Sequence, residues 1–143
     1  MSIIICDIDG TIADLGHRLH HIQKKPKDWD SFHAGVIHDS VIWPIKAILE
    51  KFEAHDIVYV SGRPERNRAA TIQWLDSTGC PDPSALYMRA EGDFRDDQIV
   101  KAEIYEKHLK GRDILFVLDD RTRVVKMWRE KGLTCLQVRD GDY

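Results

Sequence analysis

Three cysteines in 143 residues are too few and too scattered for a disulfide framework. Cys6, Cys80 and Cys135 form no Cys-x-x-Cys, so a reducing, cytoplasmic setting is expected. Long apolar runs are missing too. The cleanest, Ile3–Cys6 and Ile114–Leu118, fall far short of the roughly 20 residues a membrane span requires. No basic n-region precedes Ile3 and no small-residue cleavage site follows, so no signal peptide is expected. There is no excess of positive charge. Lys and Arg number 21 against 24 Asp and Glu, a net charge of −3 that argues against a generally basic nucleic-acid coat protein. No Gly-Lys dipeptide occurs, which rules out a GxxxxGK[ST] phosphate loop in this stretch. What is present, 43% hydrophobic and 31% charged residues, describes one soluble globular domain spanning 1–143.

Short apolar runs alternate with amphipathic stretches. Ile3–Cys6, Ile57–Val60, Ala85–Met88, Ile114–Leu118 and Thr134–Val138 read as buried strands. Helices are expected from Pro44, from Pro64 to a stop at Gly79, from Asp96 or Asp97, and from Thr122 to Gly132. Five strands alternating with helices predict a three-layer α/β domain with a mainly parallel sheet. Residues 12–42 do not fit the alternation. They form an oversized connection after the first strand, rich in His, Lys, Arg and aromatics, where a cap or lid is expected. Within it, Arg18, Lys24, Lys25 and Lys27 are candidates for a positive surface, and Trp29 and Phe32 are either base-stacking or core residues. His17, His20 and His21 lack the Cys or acid that would complete a zinc site at a usual spacing.

The first strand runs into Asp7-Ile8-Asp9-Gly10-Thr11. Strand residues alternate, so Asp7 and Asp9 project to one side where the strand ends, and two carboxylates so close repel unless a cation or a shared proton intervenes. Gly10 permits a sharp turn, and the Thr11 hydroxyl can fix a carboxylate rotamer. Taken alone, the motif also fits an Asx-rich turn or part of a calcium loop. The fourth strand ends in Asp119-Asp120. Side by side, the two ends give a carboxylate cluster that calls for a divalent ion, and oxygen-only ligands suit magnesium, Mg2+. Asp119-Asp120-Arg121 equally reads as a helix cap with a salt bridge. The second strand ends in Ser61-Gly62-Arg63-Pro64, a hydroxyl, exposed backbone N–H groups and a guanidinium fork suited to an anion, or else an ordinary turn. Lys101 by itself reads as a solvated helix charge.

Together, Asp-x-Asp-Gly-Thr, Ser-Gly-Arg, Lys and Asp-Asp in this order resemble the haloacid dehalogenase superfamily of phosphotransferases. Val60-Ser61-Gly62-Arg63, Gly92-Asp93-x-Arg95, Asp97-x-x-Val100-Lys101, Leu118-Asp119-Asp120-Arg121-Thr122, Val124-Val125-x-Met127-Trp128-Arg129 and the closing Gly141-Asp142-Tyr143 are similar to the 3′-phosphatase domain of bacteriophage-type polynucleotide kinases. The resemblance implies a Rossmann-like sheet ordered 5-4-1-2-3, with strands one and four adjacent. It casts Asp7 as the nucleophile that forms an aspartyl-phosphate, Asp9 as general acid and base, and Lys101 as a catalytic cation. It makes Thr11, Ser61, Gly62, Arg63 and Lys101 the substrate-binding group. Mg2+ is expected on Asp7, Asp9 through its backbone carbonyl, and Asp119, with Asp120 holding a metal-bound water. Asp97 is expected to steady Lys101. The implied substrate is a phosphorylated nucleic-acid end, and without a phosphate loop the chain is at most the phosphatase half of such an enzyme. A nucleotidase on the same scaffold is the alternative; a non-catalytic nucleic-acid-binding module is disfavoured, because bare carboxylates repel phosphate.

Overall fold

The computed structural model describes residues 2–82 and 85–143. In chain order the elements are β1 (Ile3–Cys6), β2 (Ala13–Asp14), α1 (His20–Gln23), α2 (Trp29–Ala34), β3 (Ser40–Val41), α3 (Trp43–Leu49), β4 (Ile57–Pro64), α4 (Arg68–Ser77), β5 (Ala85–Arg89), α5 (Asp97–Ile104), β6 (Ile114–Asp119), α6 (Thr122–Glu130) and β7 (Cys135–Gln137). All four residues of β1 are buried. A strand with no polar alternation must be covered on both faces. Ile4 and Cys6 pack with Leu49 of α3 and Trp74 of α4, while Ile3 and Ile5 pack with Val100 of α5 and Trp128 of α6. The three layers expected from the alternating pattern follow from this.

The large sheet is parallel throughout, with the order β5-β4-β1-β6-β7. The expected numbering 5-4-1-2-3 does not match it, because the insertion contributes two strands of its own that were not counted. β2 and β3 form a separate antiparallel pair, Ala13 opposite Val41 and Asp14 opposite Ser40. With those two set aside, the large-sheet strands run 3-2-1-4-5 in chain order, which is 5-4-1-2-3 read from the opposite edge. The adjacency that matters for the site is present: β1 lies beside β6, with Cys6 opposite Leu118.

Two further expectations need correction. No helix opens at Pro64: its backbone is extended (ψ 154°), it pairs in the sheet with Arg89, a 3-10 turn covers Glu65–Asn67, and α4 begins at Arg68. The fixed φ of proline suits both a first helical turn and an extended strand end, so the residue alone cannot decide. Helical spacing puts Ile72 and Leu75 on one face, yet Leu75 is buried while Ile72 is 46% exposed, and Thr71 is buried instead. Its hydroxyl accepts a bond from Arg63 at 3.0 Å, so a buried guanidinium sets the rotation of α4 rather than the larger apolar side chain.

The β2–β3 pair brings the two ends of the 12–42 stretch together beside the sheet. Between them lie α1, α2 and two 3-10 turns, Gly16–Arg18 and Val36–His38. Ile12, Ala13, Leu15, Phe32 and Val36 are buried, so this segment carries its own apolar footing. No helix among the described residues is long and apolar enough to cross a membrane.

Candidate active site

Parallel strands present their carboxyl ends at one rim, the place where open α/β sheets bind ligands. The Asp7 N–H donates to Leu118 O at 2.9 Å, which continues the β1–β6 ladder one residue further and sets Asp7 beside Asp119. Carboxylate oxygens of Asp7, Asp119 and Asp120 all lie within 4.8 Å of one another, and all three residues are buried. Lys101, 1% exposed, reaches up from α5 and donates to Asp7 Oδ1 at 2.7 Å and Asp119 Oδ2 at 3.0 Å. Asp97, one turn earlier, lies 3.7 Å from the same ammonium. Burial, then the charge of Asp119, pushes the Asp7 carboxyl well up, against the pull of Lys101. Burial also raises Asp120. Burial lowers the Lys101 pKa, but Asp119, Asp7 and Asp97 outweigh it and hold the ammonium well above the ordinary lysine range.

The other pair of charges forms a second network. Asp9 is gripped by two buried arginines: Arg63 donates to it through Nε at 3.1 Å and Nη2 at 2.7 Å, and Arg18 through Nη2. Buried Asp39 lies behind them and accepts from Arg18 at 2.6 and 2.8 Å. Arg18 also donates to Phe32 O and lies over the Phe32 ring at 4.4 Å. Burial pushes Asp9 up, but Arg63 and Arg18 outweigh it and hold the carboxyl far below its usual range. Two acids face two guanidiniums, so this network is neutral. The Asp7 cluster is not: three carboxylates face one ammonium, a deficit that one divalent cation would balance.

A cavity of about 380 Å³ opens over both networks. Asp7, Asp9, Gly62, Arg63 and Asp120 line it; Asp119, Thr11, Ser61 and Lys101 do not. Asp119 is turned inward, with Oδ1 accepting from the backbone of Asp120 and Arg121 and Oδ2 from Lys101 and Trp128. Asp120 faces the cavity, its Oδ2 accepting from the Tyr143 hydroxyl at 2.6 Å. Thr11 donates to Asp7 Oδ2 at 3.0 Å, so it orients that carboxylate from behind. Ser61 Oγ accepts the Arg63 N–H at 3.1 Å and shapes the turn. Two glycines are required by contact. A Cβ on Gly10, whose φ is +82°, would collide with the Asp120 carboxylate, and one on Gly62 with that of Asp97.

A sequence profile of the polynucleotide kinase PNKP phosphatase domain matches residues 1–143. The chain belongs to this family. It is a haloacid-dehalogenase-type phosphatase domain. It is 28% identical over 131 residues to a putative bifunctional polynucleotide kinase/RNA ligase of Autographa californica nuclear polyhedrosis virus, which covers 89% of this chain and 18% of that protein. It superposes on a chain of the solved Pnkp1/Rnl/Hen1 complex with a TM-score of 0.84 and 31% identity, over 99% of this chain and 47% of that one. A haloacid dehalogenase-like hydrolase from Streptococcus pneumoniae, at 12% identity and a TM-score of 0.65 over 96% of this chain and 84% of that one, shares the fold. The phosphatase domain thus spans under half the length of the kinase-type relatives it matches.

Several features of the domain were not legible beforehand. Arg18, by sequence a candidate for a positive surface, is buried against Asp9 and Asp39. Lys24 and Lys25 do not line the cavity, whereas Lys27, Trp29 and Phe32 do. Asp39 carried no sequence signal at all, and Tyr143 carried one only through the closing motif. His17 pairs with Asp39 at 2.7 Å, and His20 lies against His21. Among the described residues, the Asp7 cluster is the group that can gather three metal-ligating side chains.

Proposed function

We propose that the domain is a Mg2+-dependent phosphomonoesterase that removes 3′-phosphates from polynucleotide ends through an aspartyl-phosphate. The observation that carries this reading is a buried, aimed carboxylate: Asp7 opens on the cavity while Lys101 and Thr11 fix its two oxygens. The match of residues 1–143 to the polynucleotide kinase PNKP phosphatase domain supports this reading.

Asp7 attacks phosphorus in line, and the bond from phosphorus to the 3′-oxygen breaks. Asp9 gives a proton to that oxygen, then takes one from the water that cleaves the aspartyl-phosphate and releases inorganic phosphate. Held by Arg63 and Arg18, Asp9 carries no proton to give; the incoming phosphate dianion competes for Arg63, and Asp9, once released, takes a proton from solvent before it acts as the acid. Lys101 stays on Asp7 and Asp119 and offsets charge at the attacking carboxylate. The resemblance puts Asp119 on the ion and Asp120 on its water; because Asp119 is bonded inward and Asp120 faces the cavity, we exchange those roles, so that Asp7, Asp120 and the Asp9 carbonyl would hold Mg2+, with Asp119 behind them orienting Lys101. The ion would supply charge neutralisation between the nucleophile and the phosphate. The oxygen-only donor set and the two uncompensated carboxylates fit a small, hard divalent cation.

Residues 12–42 act as a small cap that carries Arg18 onto Asp9. The free, buried thiols of Cys6, Cys80 and Cys135 suit a reducing, cytoplasmic compartment. An RNA end is the favoured strand, because the matched Pnkp1/Rnl/Hen1 assembly is an RNA repair complex. The mononucleotide reading is the alternative, and the absence of Lys24 and Lys25 from the cavity lining favours it.

The deciding measurement is phosphate release from a 3′-phosphorylated oligonucleotide, a 3′-mononucleotide and a 5′-mononucleotide, with Mg2+ and with EDTA. Highest kcat/KM on the oligonucleotide is expected. Equal efficiency on the oligonucleotide and the 3′-mononucleotide would overturn the polynucleotide assignment.

A further inference from the structure

Phe94 is the most exposed large apolar side chain among the described residues, at 92%. A phenyl ring left in water forgoes the burial that gives aromatic residues their value in a fold. Its position is built, not loose. Phe94 lies in the loop between β5 and α5, and the Arg89 guanidinium bonds the carbonyls on either side of it, Asp93 O at 3.1 Å and Arg95 O at 2.6 Å. The same guanidinium donates to Gly62 O at 2.8 Å, which ties the loop to the turn carrying Arg63. The Arg95 side chain clamps Asp93 at 2.7 and 2.9 Å and reaches Glu103 at 2.8 Å. Phe94 is therefore held from both sides along the backbone while its ring is free.

That ring lines the same cavity as Asp7. The cavity is far larger than a phosphate group, so it has room for the nucleoside attached to one. Of the other exposed large hydrophobic residues among those described, only Trp29 shares the lining. Trp29 already has partners: the His33 ring stacks at 5.9 Å and the Lys27 ammonium lies 5.6 Å from it. Among the described residues no aromatic ring lies against Phe94. Its chain neighbours Glu91, Asp93, Arg95 and Asp96 are charged, so it forms no contiguous apolar patch of the kind a protein partner covers. The rim's guanidiniums are already paired: Arg66 with Glu91 at 3.2 Å and Asp30 at 3.5 Å, Arg95 with Asp93 and Glu103. Ionic contacts with flanking phosphates therefore have few free cations to use, and an unpartnered π-face remains.

We propose that Phe94 is a stacking platform for the nucleobase of the strand end whose 3′-phosphate enters the site. This rests on the polynucleotide-end reading above and adds how that end is held. Stacking tolerates any base, because every base has a π-face, and it requires that base to be unpaired.

The test crosses the ring with the base. Short 3′-phosphorylated oligonucleotides, with the terminal nucleoside either intact or abasic, are hydrolysed by the wild-type chain, F94A and F94Y. Wild type is expected to prefer the intact end by about tenfold in kcat/KM, carried by KM, as loss of one base–aromatic stack predicts. In F94A that preference collapses to about twofold or less, and F94Y restores it. In an Asp7→Asn background, a terminal 2-aminopurine should be quenched on binding and should stay bright with Phe94 also changed to Ala. If F94A discriminates intact from abasic ends as strongly as wild type, the stacking assignment is wrong while the polynucleotide reading stands. If wild type releases phosphate from mononucleotides but from no oligonucleotide, both are wrong.

Discussion

The Lys101 ammonium lies 2.7 Å from the Asp7 carboxylate, although 94 residues separate them in the chain. Both are buried, and the contact exists because β1 and α5 meet on the second face of the sheet, where Ile3 and Ile5 pack with Val100 and Ile104. One ammonium therefore bonds two acids of the cluster, Asp7 and Asp119, with Asp97 3.7 Å away, and leaves Asp120 to face the cavity.

Asp7→Asn should reduce turnover below about a hundredth of wild type, because an amide keeps the shape but cannot attack phosphorus. The fold should persist. The substitution removes one of three crowded anions while Lys101 keeps Asp119 and Asp97, so the melting temperature in metal-free buffer should not fall. Substantial residual turnover by this variant would sink covalent catalysis at Asp7.

Metal removal should silence the enzyme, and Mg2+ should restore it. Calcium should serve poorly, since its larger, looser shell misplaces the nucleophile. Mg2+ should also raise the melting temperature of wild type, because it binds the folded cluster and not the unfolded chain. Asp120→Asn should lose most of that rise, since Asp120 faces the cavity while Asp119 is bonded inward. A thermal shift equal to wild type in Asp120→Asn would reassign the ligand.

Arg18→Ala should destabilise the fold by about 3–5 kcal/mol, because it leaves buried Asp39 short of its partner. Activity should fall as well, since Asp9 loses one of its two guanidiniums. Arg18→Lys should not restore it: Asp9, Asp39 and Phe32 O are reached by separate N–H groups of one planar fork. Urea titrations and phosphate release measured on both variants check this.

His33 predicts a pH dependence of stability. Its Nδ1 is buried with no hydrogen-bond partner, and burial, aided by Arg18, Arg66 and Arg63 against Asp9, pushes the ring down to about 4 from 6.5. The unfolded chain then binds a proton that the folded chain refuses, so stability should fall as pH drops from 6.5 to about 4 and lose nothing further from this group below that. Loss from the depressed Asp9 falls in a lower window, beneath the ordinary carboxylate range. His33→Gln should remove its share of the slope in the first window, to which lowered His21 adds and raised Asp7 and Asp120 are opposed, and should leave the lower window unchanged in denaturation curves taken across both.

Local pattern determined much of this protein. Continuous β-branched runs such as Ile3–Cys6 mark strands buried on both faces, and acids at strand ends mark the rim where the candidate site lies, because both signals lie within a few adjacent residues. Pro64 marked a boundary but not its kind, since one φ serves two conformations. Tertiary structure decided what depends on direction and distance. Asp119 and Asp120 are adjacent in sequence, yet the alternation at the end of β6 turns one inward to Lys101 and Trp128 and the other toward the cavity. Arg18 and Asp39 lie 21 residues apart inside an irregular insertion, so no periodicity announced that they would meet behind Asp9. Phe94 reads as an ordinary position between Asp93 and Arg95, and only the fold sets it in water at the cavity that Asp7 lines.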